Sequence, residues 1–368
     1  MTDVLADLRR RGLLPPATDA VPVRAPGPEP DADRRRDASR GALIGGAVGD
    51  ALGRPAEGRS RERVRELYGE LRDFRRWRGW QGGPVGTITD DTQLTVCVAD
   101  WLLASGGGEP DPAALAEAVV AWLPEGRGKG RTCTEAALRL QEGIPWHRAG
   151  LASAGNGAAM RVAPVGLAYR GDLDRLRRVA ALSAVVTHAH PMAVASAVAQ
   201  AWLVARLVLT APGTLEVSGL LGDLAGVLAD VVDPGEPERK PDADDRPVRL
   251  VDRLVEVGDH LGDPPGEAFD HFYNGAFVLE SLPTALWCFL RTPEDPEEVI
   301  VTAVNGGRDA DTVAAMAGTL VGAYLGDEAL PARWRGDDLE DGERLRDLAD
   351  ALFALAEGPA APTTAAQG

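Results

Sequence analysis

The chain has 368 residues, enough for one large domain or two ordinary ones. Its formal net charge of −17 argues against a nucleic-acid partner or an anionic membrane surface. Aliphatic and alanine residues are abundant, aromatic residues make up 5%, and β-branched runs are scarce, which favours helix over sheet.

Residues 1–36 read as a charged, Pro-rich leader, expected to begin with a short helix from Val4 to Gly12 and otherwise to be disordered. From there helical periodicity dominates. It predicts helices near 38–52, 61–70, 92–105, 111–122, 132–141, 173–186, 191–210, 214–231, 249–261, 274–290, 294–304, 312–325 and 340–356. Start signals such as Asp111-Pro112, Pro191 and Thr292-Pro293 support these positions. Within the first, Gly41, Gly45 and Gly49 recur every four residues and so line one helical face. That spacing is not GxGxxG and no strand precedes it, so close helix-to-helix contact is the expected role rather than dinucleotide binding. From Arg59 to Arg78, eight arginines outnumber four acids, and the segment reads as a solvated helix face. Residues 233–247 form an acidic, Pro-rich surface loop, and the tail from 358 to 368 is expected to fray. The expected architecture is all-α: a single-domain, compact multi-helix bundle spanning 37–357.

Cys97, Cys133 and Cys288 form no CxxC and no even framework, so they read as reduced core thiols of a cytoplasmic protein. Five scattered histidines give no zinc-ligand spacing. No apolar stretch looks long and uninterrupted enough for a membrane span, and the N-terminus lacks the apolar core of a signal peptide.

Two short clusters carry the chemistry: Thr89-Asp90-Asp91-Thr92 and Asp309-Ala310-Asp311-Thr312. Each puts two carboxylates and a threonine hydroxyl at the start of an apolar helical run. Asp and Thr are also ordinary N-caps, but a cap needs one acceptor and this pattern is built twice. Adjacent carboxylates repel by roughly 4 kcal/mol at 4 Å and an effective dielectric near 20. A cation is the natural remedy, and hard oxygen donors suit Mg²⁺ or Mn²⁺, with Ca²⁺ possible. The expected class is therefore a metal-dependent enzyme.

Five segments in order resemble the ADP-ribosylglycohydrolase family, across roughly Arg40 to Asp327. They are Gly41 to Glu57, Thr89 to Thr92, Gly155-Asn156-Gly157-Ala158-Ala159-Met160-Arg161, Thr187-His188, and Asn305 to Thr312. The resemblance implies an all-α fold with a binuclear Mg²⁺ or Mn²⁺ centre. Its ligands would be Thr89, Asp90, Asp91, Asp309, Asp311 and Thr312, with Glu57 and Asp311 as the catalytic pair and Glu57 as acid/base. Ser153, Gly155, Asn156, Gly157, His188 and Arg308 would face the substrate. Two departures stand out. Some members carry an acid where this chain has Ser153, and the more familiar last motif has glycine where this chain has Arg308, which could clamp a pyrophosphate or pair with an acid. Trp77, Trp80, Tyr169 and Tyr273 are candidates for stacking on adenine. The implied substrate is an ADP-ribosylated protein or small molecule, with ADP-ribosyl-arginine preferred over ADP-ribosyl-serine. A non-catalytic ADP-ribose-binding protein on the same fold and a Mg²⁺-dependent nucleotide phosphohydrolase are the competing classes. The complete acid set disfavours the first, and the Gly-Asn-Gly loop would go unexplained in the second.

Overall fold

The computed structural model describes residues 2–18, 27–76, 83–241 and 245–358. Among these the chain is all helix and connecting loop, with three isolated β-bridges. The α-helices, in order, are α1 (Thr2–Arg10), α2 (Ala32–Gly53), α3 (Arg61–Tyr68), α4 (Asp90–Ala104), α5 (Pro112–Trp122), α6 (Arg131–Gln141), α7 (Trp146–Ala149), α8 (Ala163–Ala168), α9 (Leu173–Val185), α10 (Pro191–Val208), α11 (Val217–Leu228), α12 (Leu250–Glu256), α13 (Pro265–Phe272), α14 (Val278–Arg291), α15 (Pro296–Val304), α16 (Ala310–Leu325) and α17 (Gly342–Glu357).

Ordinary caps begin many of them. Asp31, Ser60, Asp111, Asp172 and Asp295 each accept a first-turn amide, and proline follows directly after Asp111 and Asp295. Thr89 and Asp309, which precede α4 and α16, make no such side-chain bond. Those two acid clusters are thus not serving as caps.

The centre of the bundle is the pairing of α2 with α16. Gly41, Gly45, Gly49 and Gly53 face Gly322, Gly318, Ala314 and Ala310 so closely that a Cβ on Gly53 would lie 2.5 Å from the Ala310 carbonyl oxygen. The glycine stripe therefore acts as the sequence predicts, letting two backbones touch. Its consequence is positional, because the C-terminal end of α2 is brought against the N-terminal end of α16. Helix α10 lies buried behind them. Its length and hydropathy would allow it to cross a membrane, which amends the sequence reading, but 94% of it is buried inside the bundle, as in a core helix.

The leader differs from expectation over its described residues. Leu8, Leu13 and Leu14 are buried, and the Thr18 amide donates to Asp174 at 2.6 Å. Three leucines among the prolines supply anchors that composition alone hides. Helix α2 also starts at Ala32, upstream of its expected start, with Arg35 reaching Glu357 at 2.9 Å. The tail from 359 lies outside the described residues.

Candidate active site

One cavity of about 470 Å³ gathers most of the residues singled out in the sequence. Its floor comes from helix N-termini: Asp90 and Asp91 of α4, and Asp309, Asp311 and Thr312 at the start of α16. Glu57, just past α2, closes one side, and its carboxylate oxygens lie within 4.8 Å of those of Asp309 and Asp311. The opposite wall is the loop Ser153–Gly157, threaded between two bridges. Leu151 pairs with His188 on one side, and Gly155 pairs with Phe277 on the other. That loop is fixed by the amide of Asn156 on the Ala276 carbonyl and the amide of Val278 on the Ala154 carbonyl, both 3.1 Å.

Burial dominates the electrostatics. Asp90 and Asp91 are held well above the usual carboxylate range, first by desolvation and then by the neighbouring acids. The same causes push Asp309 up to about 6 and Asp311 up to about 7. Asp91 Oδ1 is buried with no hydrogen-bond partner among the described residues. Carboxylate oxygens with one orphan, flanked by the Thr312 hydroxyl, are the donor set of a hard divalent cation. The residues fit the metal that the sequence pattern implied.

Individual expectations divide as follows. Asn156 donates to Asp309 Oδ2 at 2.5 Å, so it holds that acid in place as well as lining the cavity. Ser153 lines the cavity but spends its hydroxyl on Thr132 Oγ1 at 3.0 Å and on the Gly155 amide at 3.3 Å. Gly155 and Gly157 pack against the His188 ring, where a Cβ on Gly157 would meet Cε1 at 2.7 Å. Thr89 does not line the cavity. Its hydroxyl donates to Asp50 at 2.7 Å and sits 3.3 Å from Asp91 Oδ2. Arg308 is exposed, takes a left-handed φ of 57°, and lies over the Tyr273 ring at 3.8 Å. It lines an adjoining cleft with Glu57 and Asp309 rather than the main cavity. The left-handed backbone accounts for why glycine suits that position. Tyr169 is buried beneath Arg175 and does not line the cavity, while Trp77 and Trp80 lie outside the described residues.

His188 has a defined role in the hydrogen-bond network. Buried Arg161 donates to Thr187 Oγ1 at 2.8 Å, which leaves the Thr187 proton for His188 Nδ1, also at 2.8 Å. The ring proton then sits on Nε2, beside Gly155. Burial and Arg161 lower His188 to about 3, so it is a neutral hydrogen-bond donor and not a charged acid.

Four residues escaped the sequence reading. Asp50 is fully buried at the end of α2 and accepts from the amides and hydroxyls of both Thr89 and Thr92, at 2.6 to 3.2 Å. Arg54 forms an ion pair with Glu57 and reaches Asp311 Oδ2 at 3.5 Å, placing one fixed cation among the acids. Glu280 and Arg239 line the cavity from α14 and from the acidic loop. Asp50 and Arg54 stand beside quoted motif residues, but a single charge at the end of a helix has no period to betray it. The histidines are also less scattered than their spacing suggests. His260 and His271 stack at 4.0 Å beside Glu256, although the Arg253 guanidinium already occupies that cluster, 2.9 Å from His271 Nε2.

The chain is similar to known proteins along most of its length. Residues 31–362 match the sequence profile of the ADP-ribosylglycohydrolase family. ADP-ribosylhydrolase ARH3 is 36% identical in its human form, over 50% of this chain and 54% of that protein. The Gallus gallus form is 30% identical over 81% of this chain and 88% of that protein. The ADP-ribosylarginine hydrolase Tri1 of Serratia proteamaculans is 27% identical over 75% of this chain and 70% of its own length. A solved structure titled as an ADP-ribosylglycohydrolase-related protein complex superposes with a TM-score of 0.66 at 31% identity, over 88% of this chain and 99% of that one. With five motifs, an all-α fold and a profile match across nearly its whole length, the chain belongs to the ADP-ribosylglycohydrolase family.

Proposed function

We propose that the protein is a metal-dependent hydrolase that releases ADP-ribose from ADP-ribosylated arginine side chains, with two Mg²⁺ or Mn²⁺ ions held between its acidic clusters. The observation that carries this reading is the convergence of Glu57, Asp309 and Asp311 within 4.8 Å, beside buried Asp90 and Asp91, in one cavity. Asp90, Asp91, Asp309, Asp311 and Thr312 would hold the cations, while Thr89, with its hydroxyl on Asp50 and 3.3 Å from Asp91 Oδ2, would support that set from outside the cavity. Metal bound there supplies Lewis-acid polarisation and a water of lowered pKa.

The chain's own residues account for the rest. Cleavage at the ribose C1 passes through an oxocarbenium-like state and needs a proton for the leaving group. Glu57 sits at the cavity edge with Arg54 as its ion partner, which orients it to take a proton from water and pass it on. His188 donates through Nε2 to a ribose or phosphate oxygen. Asn156 fixes Asp309, and the Ser153–Gly157 loop confines the ligand so that C1 meets the acids.

Arginine is preferred because Tri1 is named an ADP-ribosylarginine hydrolase and aligns over most of both chains. The complete donor set supports catalysis over binding alone. Three unpaired cysteines, with Cys133 raised to about 11 by burial, support a reducing, cytoplasmic setting. The test is release of free ADP-ribose from matched ADP-ribosyl-arginine and ADP-ribosyl-serine peptides with Mg²⁺ or Mn²⁺. Faster release from the arginine peptide is expected. Release from the serine peptide alone would move the linkage, and release from neither would leave a binding protein.

A further inference from the structure

Residues 233–241 form a strap that reaches the active-site cavity at Arg239. Glu236 and Val248 exchange backbone hydrogen bonds at 3.1 and 2.9 Å, which ties the strap to the residues leading into α12. Glu236 pairs with His190 Nε2 at 3.0 Å, Glu238 pairs with Arg253 at 2.6 Å, and Lys240 donates to the His271 carbonyl at 3.1 Å. Arg239 lies between the last two anchors. Its guanidinium carbon is 4.0 Å from the centroid of Phe277, and the side chain lines the cavity wall. No carboxylate among the described residues forms an ion pair with it.

Three observations say what this arginine meets. First, the cavity is lined by six carboxylates and two arginines, so Arg239 is one of the few cationic side chains there that an anionic part of a ligand can meet. Second, an arginine resting on an aromatic ring keeps the in-plane N–H edge that grips phosphate bidentately. Arg131 also lines the cavity and is exposed, as Arg239 is, but among the described residues only Arg239 of the two rests on an aromatic ring. Third, Glu280 on the same wall is 5% exposed, and its Oε1 is buried with no partner among the described residues. A buried acceptor left empty calls for a donor from whatever fills the cavity. A ligand carrying both an anion and hydroxyl donors satisfies the wall, and a ribosyl diphosphate carries both.

We infer that Arg239 is a specificity-determining residue that clamps the substrate's diphosphate, with the 233–241 strap as its mount and Glu280 accepting from a hydroxyl of the same ligand. This rests on the ADP-ribosyl reading above. The test is calorimetric binding of ADP-ribose to the full-length, Mn²⁺-loaded chain, compared with Arg239→Ala and the sterically milder Arg239→Gln. Each variant is also titrated with Mn²⁺ alone to report an intact site, and each ADP-ribose titration is repeated at low and high salt. Both variants are expected to bind ADP-ribose about ten- to a hundredfold more weakly, with a flatter salt dependence and unchanged Mn²⁺ binding. If either variant retains Mn²⁺ binding and binds ADP-ribose as tightly as the parent, with the same salt dependence, the clamp is overturned while the ADP-ribosyl reading stands. A parent chain that fails to bind ADP-ribose overturns both.

Discussion

Asp50 and Glu280 show two ways a buried carboxylate is kept. Asp50 accepts four hydrogen bonds from Thr89 and Thr92, which oppose without cancelling the burial that pushes it up to about 6. Glu280 lacks such partners at Oε1, and burial pushes it from 4.5 up to about 7. A raised folded-state value means that the native protein holds a proton which the unfolded chain has lost between those limits. Below pH 4.5 both states are protonated and the group is neutral to stability. From pH 4.5 to 7 stability falls, and above pH 7 the full penalty of about 3 kcal/mol applies. Glu280→Gln should therefore be more stable than the parent at pH 8 in EDTA and equal to it at pH 4. Denaturant titrations at the two pH values measure this, and an equal gain at both would remove burial of charge as the cause.

The contact between α2 and α16 turns a sequence pattern into a site. Their glycine stripe leaves no room for a methyl: a Cβ on Gly49 would lie 2.7 Å from the Ala315 amide nitrogen, closer than real Cβ atoms come. Because backbone is the obstacle, Gly49→Ala must push the helices apart, at a cost of about 3 kcal/mol or more. It should also lower turnover, since Asp311 rides on α16 and Asp50 on α2. A substitution that left the denaturation midpoint unchanged would show that the two backbones can separate freely. The long helices were legible because apolar periodicity repeats along them, and α2, α5, α9, α10 and α15 also carry a side-chain or proline start signal. The short ones were not. α7 and α8 span four and six residues, too few for a period to repeat. Helix α13 was hidden because the reading began a helix at Asn274, where Tyr273 turns left-handed at φ 59° and α14 starts only at Val278.

Across the molecule, acids more than 200 residues apart converge because two acidic helix starts, one glycine-packed helix pair and one bridged loop meet at the same end of the bundle. The acids of the floor were readable in advance, since paired carboxylates beside a threonine are costly and repeat. Arg54, Arg239 and Glu280 were not, since each is one charge whose neighbours are brought by the fold. That convergence makes the central claim testable at a single atom group. Asp311 belongs to the floor, approaches Arg54 at 3.5 Å and closes the carboxylate triangle with Glu57 and Asp309. The decisive measurement is made on Asp311→Ala: Mn²⁺ binding by calorimetry and ADP-ribose release from the ADP-ribosyl-arginine peptide, on protein whose circular dichroism matches the parent. The account predicts a helical spectrum unchanged, Mn²⁺ affinity reduced at least about tenfold and release reduced to background. Near-normal release from a folded Asp311→Ala chain would contradict it.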